Sequence, residues 1–283
     1  MLNNSYKENI KSAVILCGGK GTRLGFLSKK LPKSLVPVKN KPIIWYIIKM
    51  LKRNGFNHFI LPIGYKGKSI SEFIKKSKDL NNFNIQIVNT GVESSISNRI
   101  LKIKNLIKSK NFLLLNGDAI FDFNIKKIFE NHNKFKDRFI TFLGTYATLP
   151  YGTIEVKTGK VTKFRRDLIY DTVISKNTRK KSINYIYSGM AIIRRNILQK
   201  KFINFKNFEL SFYPSIIKKY KCKFVSISGF WYSIDSVKDL KQLNTSFSKI
   251  KLNQIKKNYC NKKNIFNLCF FPYVFQHIID QKI

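Results

Sequence analysis

The sequence predicts an α/β fold, a doubly wound and mostly parallel Rossmann-like sheet with a mixed-sheet extension. Three observations carry that prediction. Ala13, Val14, Ile15 and Leu16 are consecutive apolar residues, the pattern of a strand covered on both faces. From there to Asn133, strand-like and helix-like stretches alternate, which builds a parallel sheet with helical crossovers. Beyond Asn133 strand-like stretches follow one another, which adds mixed or antiparallel pairing.

Each element has its own signal. "SAVILCGG" is the first strand. "KPIIWYIIKMLKRNGF" has helical spacing and stops at Asn54-Gly55, a C-terminal signal. "HFILPIGY" is a second strand, "KSISEFIKKSKDL" a helix with serine at its start, and "NIQIVNT" a third strand. In "NRILKIKNLIKSK", Ile100, Ile103, Leu106 and Ile107 share one helical face. "NFLLLNGDAIFD" is a fourth apolar strand. "RFITFLGTY", "GTIEVKTGKVTKF" and "INYIYSGMAIIRR" are strand-like, with "KTGK" a turn. "ELSFYPSIIKKYKCKFVSISGFWYSID" returns to helix then strand, and "VKDLKQLNTSF" closes with a helix. There is no internal repeat and no Pro- or Ser-rich linker. Residues 12–245 therefore read as one domain and 246–283 as a C-terminal tail. The tail is lysine-rich, then apolar ("NIFNLCFFPYVFQHIID"), and reads as a covering helix or loop, or as an interface of a homo-oligomer.

The 283 residues are 43% hydrophobic and 14% aromatic, enough to bury a substantial core. Net charge is +39, from 54 Lys+Arg against 15 Asp+Glu. A nucleic-acid surface needs a localised patch, and these basic residues are spread along the chain, so no nucleic-acid partner is expected. Cys17, Cys222, Cys260 and Cys269 form no CxxC pair, which disfavours zinc and a disulfide framework. No apolar run reaches the roughly 18 residues of a membrane span, and the first residues lack a signal-peptide segment. A cytoplasmic protein is expected.

The stretch "AVILCGGKGTRLG" holds the chemistry. A first strand ending in a glycine-rich turn is where open α/β sheets bind ligands, and glycines let backbone N–H groups face phosphate oxygens. G-x-x-x-x-G-K-[ST] fails, because Gly21 follows Lys20 where Ser or Thr is needed. G-x-G-x-x-G fails too, since Gly25 falls one residue late. Instead, "GGKGTRL" followed by "LPKSLVPVKNKPI" resembles the signature of sugar-nucleotide pyrophosphorylases, which join a sugar 1-phosphate to an NTP. The resemblance covers roughly residues 12–245 and comes nearest to the glucose-1-phosphate cytidylyltransferases.

That resemblance implies roles. Leu16, Gly18, Gly19, Gly21 and Thr22 would wrap the NTP, Arg23 would stabilise pyrophosphate, and Lys33 would contact phosphate. Bringing anions together and expelling pyrophosphate calls for positive groups and N–H donors. "LLLNGDAIFD" resembles the family strand that ends in a metal aspartate, here Asp118, and "SGFWYSIDSVKDLKQLN" the segment carrying the second, Asp235. Two carboxylates from distant strands suit one Mg²⁺. Ser236 and Asp239 also make a helix cap here, so Asp235 has a competing structural reading. "IQIVNTGVESSISNRI" loosely resembles the cytidylyltransferase base segment, with Thr90, Gly91, Glu93, Ser94 and Arg99 matching. Nucleotide-sugar synthesis for polysaccharide biosynthesis is the implied setting.

The sugar subsite departs from the family. Where Glu-Lys-Pro is usual, the chain has "FRRDL", with Arg166 in place of the acid and Asp167 in place of the lysine. Gly189 of the family's sugar-site strand is kept, but Ser188 replaces Asn or Thr. Nucleotide handling is thus expected intact and sugar choice altered. A regulatory relative that binds nucleotide sugars without catalysis stays open.

Overall fold

The computed structural model describes residues 10–148, 153–165, 169–170, 172–174, 181–183, 185–198 and 207–247. β1 (Ser12–Leu16) runs up the middle of the sheet and leads through the glycine loop into a short helix α1 (Phe26–Lys30). A small antiparallel pair, β2 (Pro37–Val38) with β3 (Lys41–Pro42), precedes α2 (Ile43–Arg53). Then follow β4 (His58–Ile63), α3 (Gly67–Lys76), β5 (Asn84–Asn89), α4 (Ile96–Ile103), β6 (Asn111–Asn116), β7 (Ala119–Asp122), α5 (Ile125–Asn133) and β8 (Arg138–Thr145). β9 (Ala147–Thr148) pairs with β12 (Ile169–Tyr170), β10 (Thr153–Lys157) with β11 (Lys160–Arg165), and β13 (Thr172–Ile174) with β14 (Lys181–Ile183). The described chain ends with β15 (Ile186–Arg194), α6 (Tyr213–Lys219), β16 (Lys221–Ser226), β17 (Phe230–Ser233) and α7 (Val237–Ser246).

Seven strands form the main sheet in the order β16-β8-β15-β6-β1-β4-β5. All pairings are parallel except those of β15, which is antiparallel to β6 and β8. The chain leaves β1 towards β4 and β5, then returns to place β6 on the opposite side. The crevice between the carboxyl ends of β1 and β6 is therefore the switch point where such sheets bind ligands. The expected α/β architecture is what the structure has.

Both faces are covered, as the run Ala13–Leu16 predicts. Ala13 and Ile15 join a core with α2, α3, Phe121 and Leu243, while Val14 joins Ile100, Ile103, Ile107, Phe212 and Ile216 on the other face. At about 25 cal/mol per Å² of buried apolar surface, these two layers dominate stability. α2 stops as expected: Gly55 takes φ 82°, its N–H reaches Lys52 O at 3.0 Å, and Phe56 N–H reaches Leu51 O at 3.0 Å. Among the described residues no helix is long and apolar enough to cross a membrane.

Three expectations need correction. The apolar run 111–122 is two strands: β6 stays in the main sheet, while β7 leaves it to pair with β17. The chain turns at Gly117, where a Cβ would sit 2.8 Å from Leu16 O and 2.9 Å from Cys17 Sγ, so only glycine passes that close to β1. α3 is not started by a serine: Lys66, in the left-handed region at φ 50°, precedes Gly67 and no side chain caps the helix. The helix carrying Ile100 begins earlier, at Ile96 behind a Ser95 cap, and tightens into a 3₁₀ turn over Lys104–Leu106. The closing helix is where the sequence puts it: α7 runs through Ser246, and Phe247 packs on Tyr46 with ring centroids 5.4 Å apart. The rest of the tail lies outside the described residues.

Candidate active site

A cleft of about 620 Å³ opens at the carboxyl ends of β1 and β6. It is lined by the end of β1 and the glycine loop (Leu16–Arg23), by Lys33 and Ser34, by the 92–96 wall with Arg99, and by Asn116–Asp118 after β6. Gly21 adopts φ 62° and precedes the 3₁₀ turn Thr22–Leu24. That left-handed conformation suits glycine. A Cβ on Gly19 would meet nothing within 4 Å, so the loop turns an open backbone edge to the cleft. Burial pushes the Cys17 thiol up to about 12, so Cys17 lines the cleft as a neutral thiol and not as a nucleophile.

Arg99 is the internal brace of this cleft. It is 4% exposed. Its Nη1 donates to Thr90 Oγ1 at 2.6 Å and Ile63 O at 3.2 Å, and its Nη2 donates to Gly18 O at 3.0 Å and Val92 O at 3.1 Å. One planar fork thus ties the glycine loop, the end of β4 and the 90–92 turn together. The same contact explains Gly18, because a Cβ there would sit 2.0 Å from Arg99 Nη1.

The second construction is electrostatic. β7 and β17 pair with Ala119 opposite Ser233, and Ile234 N–H continues the ladder to Asp118 O at 3.0 Å. This places Asp118 beside Asp235. Lys33 Nζ lies 2.8 Å from Asp118 Oδ2 and 2.8 Å from Asp235 Oδ1, and Arg23 Nη2 lies 2.9 Å from the same Asp235 oxygen. Burial pushes the Asp235 carboxyl up, but the Lys33 hydrogen bond and charge, with Arg23, outweigh it and hold it below its ordinary value. Ser236 caps α7 in a reciprocal box with Asp239, so capping does not occupy the Asp235 carboxylate. Among the described residues no three His, Cys, Asp or Glu side chains converge. Two hard carboxylates within reach of one cation fit Mg²⁺, which takes few protein ligands and completes its shell with water and phosphate.

The other expected residues are dispersed around this centre. Thr22 and Ser94 line the cleft. Thr90 and Gly91 do not: Thr90 is fully buried, its hydroxyl donating to Ile63 O at 2.8 Å and accepting from Arg99. The 92–96 segment, not Thr90, faces the cleft. Gly189 takes φ 74° against Asn116, where a Cβ would approach Asn116 Nδ2 to 2.6 Å, so it abuts the end of β6. Arg166 lies outside the described residues. Sequence reasoning missed the bracing by Arg99 and the ion pair of Lys20 with Glu93 at 2.7 Å, which links both lips of the cleft. The spacing of residues 18, 63, 90 and 99 carries no local signal for the brace, nor does that of 20 and 93 for the ion pair.

A family model described as nucleotidyl transferase matches residues 12–166. The chain belongs to the nucleotidyl transferase family. Within it, the chain is similar to sugar-nucleotide pyrophosphorylases. It is 32% identical over 182 residues to a probable glucose-1-phosphate cytidylyltransferase of Bacillus subtilis (strain 168), covering 58% of this chain and 71% of that protein. It is 30% identical over 157 residues to a D-glycero-alpha-D-manno-heptose 1-phosphate guanylyltransferase of Aneurinibacillus thermoaerophilus, covering 54% and 66% of the two chains. The crystal structure of HddC from Yersinia pseudotuberculosis superposes with a TM-score of 0.63 at 22% identity, covering 84% of this chain and all of that one. This nucleotidyl transferase thus shares the family fold with the cleft at its switch point.

Proposed function

We propose that this nucleotidyl transferase moves a nucleotidyl group from an NTP, with CTP preferred, to a sugar 1-phosphate, releasing pyrophosphate and forming an NDP-sugar. The observation that supports this best is the meeting of Arg23, Lys33, Asp118 and Asp235 beside the glycine loop. An oxygen of the sugar phosphate attacks the α-phosphorus, and the bond from that phosphorus to the bridging oxygen of pyrophosphate breaks. Backbone N–H groups of Gly18–Gly21 receive the phosphates, with Leu16 and Thr22 beside them. Arg23, 74% exposed at its side chain, would leave its pairing with Asp235 to follow the departing pyrophosphate. Lys33 neutralises charge gathering around the α-phosphate. Asp118 and Asp235 would hold a divalent cation, Mg²⁺, which when bound supplies Lewis-acid polarisation of the phosphoryl group. The base lies against the 92–96 wall, with Ser94 and the Thr90–Gly91 turn behind it. Gly189 and Arg166 belong to the sugar end of the reading.

The cytidylyl preference follows the Thr90–Arg99 segment and the Bacillus relative. A second reading uses GTP and a heptose 1-phosphate. It is favoured by the Aneurinibacillus relative and by "FRRDL", which departs from the glucose-type pattern. Pyrophosphate release, measured for four NTPs against a panel of sugar 1-phosphates, decides between them. CTP turning over best supports the first reading, and GTP with heptose 1-phosphate turning over best replaces it with the second. No reaction with any pair, alongside binding of nucleotide sugar, makes the chain a regulatory relative.

A further inference from the structure

We infer that Lys33 is a displaceable counterion that keeps the metal position closed until a nucleotide enters, so that metal and nucleotide bind as a coupled pair rather than metal first. The inference rests on the reading of Asp118 and Asp235 as metal ligands. It starts from the oxygens involved. The Lys33 ammonium sits 2.8 Å from Asp118 Oδ2 and 2.8 Å from Asp235 Oδ1. A divalent cation held between these carboxylates needs the same space, and the ammonium beside it would repel it. Arg23, 2.9 Å from Asp235 Oδ1, adds a second positive charge.

The protein offers Lys33 little alternative. Its side chain is 14% exposed. Its Cβ lies 3.2 Å from where Gly21 would carry one, so the stem is seated under the glycine loop and only its end can swing. Glu93, another carboxylate facing the cleft, is already paired with Lys20 at 2.7 Å. The polyphosphate of an NTP changes this. Lying on the glycine loop directly above Lys33, it presents anionic oxygens to which the ammonium can turn, freeing both aspartates. Each ligand then improves the site for the other, and the coupling is reciprocal.

Mn²⁺ is the probe, its free concentration read by electron paramagnetic resonance on the full chain without nucleotide. Lys33→Met should bind Mn²⁺ about tenfold or more tightly than wild type. Lys33→Gln, neutral but still able to donate hydrogen bonds to the two carboxylates, keeps the test available if the methionine variant does not fold. The gain should vanish in the Lys33→Met/Asp118→Asn double variant. Equal Mn²⁺ affinity in wild type and the Lys33 variants overturns the counterion role and leaves the nucleotidyl-transfer reading standing. A gain that survives Asp118→Asn instead overturns Asp118 as a metal ligand, and with it the site this inference rests on.

Discussion

Arg99 places a full positive charge where water barely reaches, and four protein oxygens offset the cost. Its neighbour Gly18 is thereby constrained by packing, not only by the need to expose N–H groups. Gly18→Ala drives a methyl into the guanidinium and must break several of those hydrogen bonds. The expected result is a loss of about 2 kcal/mol of stability in urea melts together with a raised KM for NTP. Unchanged melts and KM would show that Arg99 swings aside freely. Asp118 tests a different property. Asp118→Asn keeps size and shape but removes the charge facing Lys33, so the fold should persist by circular dichroism while turnover falls about 10³-fold. Turnover near wild type would remove Asp118 from the reaction. Arg23, Lys33 and Asp118 stood out as candidates because each sits in a short motif, and the structure brings all three to one cleft. Arg99's bracing was not, since its four partners come from residues 18, 63, 90 and 92 and meet only after β1, β4 and the 90–92 turn are aligned.

At the scale of elements, apolar pattern identified nearly every strand and helix of the main sheet, because a strand buried on both faces and a one-faced helix leave distinct periodicities. It failed where burial is continuous but direction changes. Ala119, Ile120 and Phe121 are as buried as Leu113–Leu115, so nothing apolar marks the departure of β7 towards β17. That departure carries Asp118 to Asp235. The junction of α5 with β8 supplies a pH test. His132 on α5 is fully buried, its Nδ1 2.8 Å from Thr141 Oγ1 on β8. Burial, then the charges of Arg138 and Arg194, push its pKa down to about 4. An unfolded histidine titrates near 6.5, so between the two values the unfolded chain holds a proton that the folded chain refuses. This contribution to stability is complete above about pH 6.5 and is lost as pH falls towards 4, by about 3 kcal/mol in all. His58, also held low by burial, acts in the same direction, so the comparison is with His132→Gln, which cannot titrate. The variant's stability should fall less steeply over that window. Parallel slopes would mean that His132 takes up its proton without unfolding.

The whole molecule is governed by its charge of +39, from 54 basic and 15 acidic residues. Several of the acidic side chains are already tied to cations, including Glu130 to Lys11, Asp137 to Lys221 and Asp79 to Lys49. The remaining positive field acts at long range on any polyanion. An NTP carries about four negative charges near neutral pH, so its encounter with the cleft should be steered, and salt should screen that steering over a Debye length of about 10 Å at 0.1 M. Charges scattered over the surface raise the rate of encounter without defining a groove for a duplex. kcat/KM for the NTP should therefore drop about tenfold between roughly 25 and 500 mM KCl, while kcat changes by less than about twofold, because the residues in contact with phosphate are screened far less. A duplex oligonucleotide should show no retained complex at about 150 mM salt, where weak non-specific contacts are released with their counterions. If kcat falls in parallel with kcat/KM, salt is disturbing the ion pairs of Lys33 and Arg23 themselves. If the oligonucleotide stays bound, the basic surface is organised as a binding face that the spread of lysines through the sequence does not reveal.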